Sequence, residues 1–156
     1  MEQLAFQEQI AGNHCWGCGA LNDNGLRLKS YWDGDESVSS YTPQSTHTAA
    51  AAHVVNGGIL ASLIDCHCIC TAIAAGYKSE GREITSEPPI WYATGSLNVV
   101  YKGSTPVNAQ LDLRARVIEM TERKTVLSCT LSVGGKDMVE GEVVAVRVPL
   151  EWMQAR

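Results

Sequence analysis

The sequence predicts a single α+β domain in which an antiparallel sheet of about six strands wraps around one long central helix. Three observations lead to this prediction: an apolar segment at 59–75, alternating segments that follow it, and a shorter alternating pair before it. A chain of 156 residues suits one domain with one core. We expect residues 1–25 to be a lead-in segment and residues 26–150 to be the domain itself.

Two short elements are predicted ahead of the apolar segment. Residues 1–12 are compatible with a short helix, and a loop rich in Gly, Asn, Asp and Cys follows at 14–25. Apolar and polar residues alternate over 26–31, Asp33-Gly34-Asp35 signals a turn, and residues 37–42 return. This pattern predicts a β-hairpin.

The segment at 59–75 is apolar nearly all round, which is typical of a helix enclosed by other structure. Asn56-Gly57-Gly58 leads directly into it, and Gly76 is expected to end it. A mobile linker is expected over 77–89.

Alternation then continues through 91–102, 107–120, 125–133 and 138–148, which predicts a meander of four strands. In the first of these strands, the odd-numbered residues from Trp91 to Tyr101 are predicted to share one face. Thr94 and Asn98 would then lie together on the other face.

Composition excludes several classes of partner. There are 12 Lys and Arg against 17 Asp and Glu, a net charge of -5, so we expect no nucleic-acid partner. The apolar stretch at 54–75 is interrupted by Asn56, Asp65 and His67, and the N-terminus lacks a basic region followed by an apolar run. We therefore expect no membrane span, no secretory signal and a cytoplasmic location.

Six cysteines lie in two tight groups with one outlier, and we expect them to be reduced thiols in a cytosol. Cys15 and Cys18 form a Cys-x-x-Cys beside His14, and Cys66, His67 and Cys70 have helical spacings of three and four, so a zinc site joining the two groups can be drawn. The favoured interpretation is that the helical cysteines are small packing residues and that 15–19 is a tight turn. No metal is expected.

The start of the predicted helix and one carboxylate carry the candidate chemistry. A helix start has unpaired N–H groups and the positive end of the dipole, and the glycines of Asn56-Gly57-Gly58 let a carbonyl approach them, so this helix start can form an oxyanion hole. Asp65 is a lone carboxylate in an apolar helix, where burial should raise its pKa toward a value useful for a general base. The structural alternative is a carboxylate bonded to a neighbour such as Ser62.

The stretch 54–65, with Asn56-Gly57-Gly58 ahead of Asp65, resembles the His-Gly-Gly motif and catalytic Asp of the hotdog-fold thioesterases. The likeness is to the phenylacetate-type (PaaI-like) acyl-CoA thioesterases in particular. The segment Cys15-Trp16-Gly17-Cys18-Gly19, followed by Leu26-Arg27-Leu28, resembles the opening of one branch, and 94–106 resembles the strand after the helix. The resemblance covers nearly the whole chain and implies a hotdog fold.

The family resemblance implies an enzyme that hydrolyses acyl-CoA or acyl-carrier thioesters at a dimer interface, in dimers or dimers of dimers. It implies that Gly57 N–H polarises the carbonyl while Asp65 of the partner subunit acts as general base or nucleophile. Thr94 falls where relatives place a Ser or Thr that positions water. Coenzyme A is then part of the substrate, and no separate cofactor is expected.

Departures from the family motif leave other functions open. Asn56 stands where the family has His and cannot relay a proton, and Ala50 replaces an upstream Asn, although His47 and His53 lie nearby. A non-catalytic module that binds acyl thioesters is one alternative. A hydratase or dehydratase is another, although it usually needs a catalytic His. Further expected substrate contacts are Gly58, His53, Asn98 and Lys102.

Overall fold

The structure, a computed structural model, describes residues 2–154 and confirms the predicted α+β architecture. Six antiparallel strands form one sheet in the order β1-β2-β4-β5-β6-β3, around a long helix, as in the hotdog fold. The strands are β1 (Tyr31–Asp33), β2 (Glu36–Tyr41), β3 (Trp91–Tyr101), β4 (Leu111–Met120), β5 (Lys124–Val133) and β6 (Lys136–Val148). The helices are α1 (Phe6–Gln9), α2 (Gly57–Ser79) and α3 (Leu150–Met153).

Helix α2 is the centre of the core. Leu63 and Ile64 are fully buried against sheet residues that include Leu113, Leu127 and Val143. By length and composition α2 could cross a membrane, but 67% of its most apolar window is buried inside the structure. Its apolar surface is therefore that of a core helix enclosed by the sheet.

Helix α2 continues past Gly76, so the prediction that this glycine ends it is wrong. A Cβ at Gly76 would lie 3.3 Å from Cγ2 of Ile90, which indicates that the glycine allows the chain entering β3 to pack closely. The helix ends at Ser79 with a Schellman motif, in which Gly81 has a φ of 66°. Its N–H and that of Arg82 donate to carbonyls of the last turn, so the first residues of the expected linker are helical.

The first hairpin turns at Gly34 as predicted, but its first strand is shorter than the alternation suggests. Leu26 and Leu28 are buried in alternation with exposed neighbours, yet β1 begins only at Tyr31. The N–H groups of Leu26 and Leu28 donate to the carbonyls of Trp16 and Gly17, at 2.8 and 3.2 Å. These donors therefore bind the lead-in segment rather than a neighbouring strand.

Strand β3 contains a β-bulge at Gly95, where the pairing with β6 shifts register between Thr94 and Ser96. A Cβ at Gly95 would lie 2.6 Å from Cγ2 of Val146, so only glycine fits there. Ahead of the bulge Thr94 faces α2, and after it the odd-numbered residues do, as Tyr101 shows. The predicted uniform alternation is therefore wrong for the first part of β3, and Thr94 and Asn98 lie on opposite faces.

Candidate active site

Asn56 caps the N-terminus of α2 through its side chain. Its Oδ1 accepts hydrogen bonds from the N–H groups of Gly58 at 2.8 Å and Ile59 at 3.3 Å. The N–H of Gly57 is paired with no acceptor within residues 2–154, while its carbonyl accepts a 2.6 Å hydrogen bond from the Tyr101 hydroxyl. The cap therefore leaves one N–H group at the positive end of the helix dipole available to a ligand.

The two glycines after Asn56 have different reasons for being small. A Cβ at Gly58 would lie 3.0 Å from Oδ1 of Asn56, so a side chain there would disturb the cap. A Cβ at Gly57 would make only ordinary contact with the Tyr101 ring, at 3.5 Å. Internal packing does not require glycine at Gly57, which favours an approach by something outside the chain.

Asp65 lies about two turns into α2 and is half-buried. Its Oδ1 accepts a 2.7 Å hydrogen bond from the Thr94 hydroxyl. Ser62, the structural partner considered from sequence, instead donates to the carbonyl of Gly58 at 2.9 Å. Burial raises the pKa of the Asp65 carboxyl, and the hydrogen bond from Thr94 lowers it. Negative charge on the nearby Cys18 sulfur raises the pKa further.

Asp65 and Thr94 line a cavity of about 540 Å³ between the lead-in segment, α2, β3 and α3. Most of its other side chains are apolar, among them Ile69, Ile73 and Trp91. The spacing of four residues from Asp65 to Ile69 to Ile73 places these side chains on one helix face, a signal that sequence reasoning missed. Trp152 and Met153 of α3 complete the wall, and no sequence pattern indicated this contribution.

Gly57 and Asp65 belong to one helix but cannot reach one carbonyl group within one chain. Eight residues of α-helix rise about 12 Å, whereas a reacting carbonyl needs both groups within roughly 3 Å. Within one chain, α2 therefore carries two separate candidate sites, one at Gly57 beside Tyr101 and one at Asp65 beside Thr94, which we call the half-sites.

The remaining predicted site residues lie away from the cavity. Asn98 is exposed on the face of β3 that turns away from α2. Lys102 forms an exposed ion pair with Glu140 at 2.6 Å. His53 is exposed on the loop before α2, and its role as a substrate contact stays a prediction. The His47 ring accepts a hydrogen bond from the N–H of Gln44 at 3.0 Å.

His67 has a structural environment. It is fully buried, its Nδ1 lies 2.8 Å from the Ser30 hydroxyl, and its Nε2 lies 3.1 Å from the Ser37 hydroxyl. Burial lowers the pKa of His67 to about 4, so the ring is neutral at pH 7. The histidine that α2 carries is therefore part of the core, and it gives no support to a hydratase or dehydratase.

The two cysteine groups come together at the wall of the cavity. Sγ of Cys15 lies 3.7 Å from Sγ of Cys66, and Sγ of Cys18 lies 3.6 Å from that of Cys70. Hydrogen bonds from the thiols of Cys15, Cys66 and Cys70 lower the pKa of the Cys18 thiol. The tight turn expected over 15–19 is confirmed, since the Gly19 N–H donates to the Cys15 carbonyl at 2.7 Å.

Comparison with known proteins identifies relatives among solved structures. Searches of protein families and of curated proteins find no match. A thioesterase superfamily protein from Shewanella loihica PV-4 is 32% identical, and the match covers 89% of this chain and 97% of that one with a TM-score of 0.66.

Two further structures share the fold at lower identity. One is a putative thioesterase, a phenylacetic acid degradation-related protein from Ralstonia eutropha JMP134, at 18% identity, covering 78% of this chain and 85% of that one with a TM-score of 0.64. The other is the PaaI protein of the E. coli phenylacetic acid degradation operon, at 13% identity, covering 80% and 81% with a TM-score of 0.64.

The six-stranded sheet around a central helix, together with the Shewanella relative, defines a hotdog-fold protein of the thioesterase class. The chain belongs to the thioesterase superfamily.

Proposed function

We propose that this protein is an acyl-CoA thioesterase that hydrolyses a small or medium acyl thioester to the free acid and coenzyme A. The observation that carries the proposal is Asp65, a half-buried carboxylate held by the Thr94 hydroxyl at the wall of an apolar cavity. A carboxylate with one hydrogen-bond partner and an open side can act on a bound substrate. The volume and apolar lining of the cavity support an acyl group of this size.

The separation of the two half-sites supports a homodimer. Strand β3 is an edge of the sheet, and it exposes the large apolar side chains of Leu97, Val100 and Tyr101. Antiparallel pairing of β3 with a second copy, centred on Asn98, would place Ser96 opposite the partner's Val100. The extra residue Gly95 would then bring Thr94 opposite the partner's Tyr101. Because Thr94 contacts Asp65 and Tyr101 contacts Gly57, this pairing would join one half-site from each chain.

In the proposed reaction, Gly57 N–H and the dipole of α2 polarise the thioester carbonyl. Asp65 of the partner subunit, as a general base, removes a proton from water as the water oxygen attacks the carbonyl carbon. The C–S bond then breaks, and the coenzyme A thiolate leaves and takes up a proton. In the nucleophilic route the carboxylate attacks the same carbon, and the C–S bond breaks to release the coenzyme A thiolate. Water then hydrolyses the resulting mixed anhydride, which releases the free acid and restores the Asp65 carboxylate.

The Thr94 hydroxyl positions both the carboxylate and the water in the proposed reaction. The Thr94 hydroxyl donates to Asp65, which fixes the carboxylate and leaves the hydroxyl oxygen able to accept a hydrogen bond from water.

The partners proposed are an acyl-CoA or acyl-carrier thioester and a second copy of the chain. We place the protein in the cytoplasm, with coenzyme A entering as part of the substrate.

The test is hydrolysis of aryl-, short-, medium- and long-chain acyl-CoAs, followed by the absorbance of the thioester bond because six cysteines would react with a thiol reagent. Wild-type protein should turn over part of this panel, and Asp65→Asn should lower kcat about a hundredfold or more. The control is Asp35→Asn, since Asp35 is a fully exposed carboxylate far from the cavity.

An inactive panel from folded wild-type protein that still binds coenzyme A would contradict the proposal. That result would instead support the binding module, in which Asn56 replaces the family histidine. Equal activity of Asp65→Asn and wild type would contradict the role of Asp65.

A further inference from the structure

Four cysteines from two distant parts of the chain form a cluster that the proposed hydrolysis does not use. Cys15 and Cys18 lie in the lead-in segment, and Cys66 and Cys70 lie one turn apart on α2. The sulfur atoms of Cys15, Cys18 and Cys66 lie within 4.8 Å of one another, and Sγ of Cys70 lies 3.6 Å from Sγ of Cys18. We call these four residues the thiol cluster.

The sulfur atoms of Cys15, Cys18 and Cys66 lie close enough together to bind a single metal ion. A tetrahedral zinc site with Zn–S distances of about 2.3 Å places its sulfur atoms roughly 3.8 Å apart. The Cys15–Cys66 and Cys18–Cys70 pairs are separated by 3.7 and 3.6 Å. Sγ of Cys70 contacts Sγ of Cys18 but does not lie within 4.8 Å of all three other sulfur atoms, so Cys70 becomes the fourth ligand when its side chain rotates toward the ion.

We propose that the thiol cluster binds one zinc ion through the thiolates of Cys15, Cys18, Cys66 and Cys70. Four thiolates fill a tetrahedral shell and leave no position for water or substrate, so the site is structural. This proposal stands whether or not the protein hydrolyses thioesters. It replaces the expectation that the helical cysteines only pack, because the structure brings the two groups into sulfur–sulfur contact.

The backbone around the thiol cluster is shaped for this convergence. A Cβ at Gly17 would collide with Sγ of Cys66, and one at Gly19 would lie 2.5 to 2.6 Å from backbone atoms of Asn13 and Cys15. Gly17 therefore allows the turn over 15–19 to pack directly against α2, and Gly19 allows the turn to close on its own backbone. A lead-in that only covered the helix would not need its backbone this close to one thiol.

Asn13 supplies a second layer of contacts to the thiol cluster. Its buried side chain donates from Nδ2 to Sγ of Cys18 at 3.6 Å, and its Oδ1 accepts from the N–H of Cys15 at 3.0 Å. Hydrogen bonds of this kind orient metal ligands and stabilise their charge. One amide thus holds both cysteines of the Cys-x-x-Cys.

The other two cysteines provide an internal comparison. Cys68 and Cys129 are buried in the apolar core and contact each other, as small packing residues do. Cys15, in contrast, is exposed at the cavity wall, so a packing role does not explain it. The cavity also gives a metal ion access to the thiol cluster. Cys129 and His14 therefore serve as controls.

The first experiment measures metal content by mass spectrometry on protein produced under reducing, chelator-free conditions. Wild type, Cys129→Ala and His14→Ala should each hold about one zinc per chain, and Cys18→Ala and Cys70→Ala should hold far less. Asn13→Ala should bind zinc about 10- to 100-fold more weakly. Wild-type protein that lacks zinc and does not take it up when reduced would overturn the proposal, as would an equal loss of zinc in Cys129→Ala.

A second experiment on the unmodified chain covers the case in which a variant fails to fold. Metal-free wild type titrated with Co²⁺ should develop the charge-transfer and visible bands of a tetrahedral thiolate site, saturate at one ion, and lose them on addition of Zn²⁺. Its melting temperature should fall on chelation and recover with zinc. Two results together would overturn the metal site and identify a redox pair. The intact mass of the metal-free protein would show a disulfide under non-reducing conditions, and the reduced protein would give no cobalt spectrum.

Discussion

Asp65 and His67 lie two residues apart on α2 in opposite environments. His67 is fully buried, and both ring nitrogens lie within hydrogen-bond distance of serine hydroxyls. Asp65 is half-buried, has one hydroxyl partner, and borders a cavity. A polar group satisfied on every side holds a core together, whereas one satisfied on a single side has capacity left for a ligand.

Removal of each side chain, with both rate and stability measured, tests the difference between Asp65 and His67 most directly. Asp65→Asn should keep the melting temperature close to that of wild type while losing turnover. His67→Ala should lower the free energy of unfolding by roughly 3 kcal/mol, because it leaves a cavity and two serine hydroxyls without their partner. Chemical denaturation measures the loss, and turnover per folded molecule should be near that of wild type. A His67→Ala protein that is stable but inactive would reverse the assignment.

The hydrogen bond from Thr94 to Asp65 can be tested by removing the hydroxyl alone. Thr94→Val keeps the shape but removes the hydroxyl, and kcat should fall about 10- to 100-fold because a hydrogen bond to a charged group contributes about 1.5 to 3 kcal/mol. Thr94→Ser keeps the hydroxyl and should retain most of the activity. Steady-state kinetics on the best thioester of the panel measures both variants, and equal rates for them would show that the hydroxyl has no part in turnover.

We expect only a small loss of stability when the Asn56 side chain is removed. Asn56→Ala removes the cap of α2 and should destabilise the protein by about 1 kcal/mol. Asn56→Asp keeps an acceptor oxygen at the same place and should remain close to wild type in stability. Thermal unfolding of the three proteins measures this difference. Identical unfolding of Asn56→Ala and wild type would mean that the cap contributes nothing.

Local patterns predicted the parts of the fold that local interactions determine. The start of α2 follows from a capping Asn and two glycines, and the strands after it follow from alternation. Gly76 and Gly81 look alike in sequence, and only the packing of Ile90 against the first distinguishes a close contact from a helix end. The bulge at Gly95 was equally hidden, because it depends on Val146 of the neighbouring strand.

The candidate site was predictable to the extent that it lies within α2. Gly57, Asp65 and their spacing are visible in the sequence, whereas the partners of Asp65 and of Cys66 come from residues 29 and 51 positions away. Spacing along one segment cannot reveal which segments fold against it. The convergence of the thiol cluster is therefore a property of the fold.

The bulge at Gly95 also determines that Thr94 and Tyr101 face the same side of the sheet. Thr94 and Tyr101 are separated by an odd number of positions, and in a regular strand they would point to opposite sides of the sheet. The one extra residue at Gly95 corrects this mismatch, so that a single strand serves both half-sites of α2. A change of one residue between Thr94 and Tyr101 would keep both contacts only if the bulge were lost or gained with it. Homologues that keep both contacts must therefore have an odd separation with the bulge or an even separation without it.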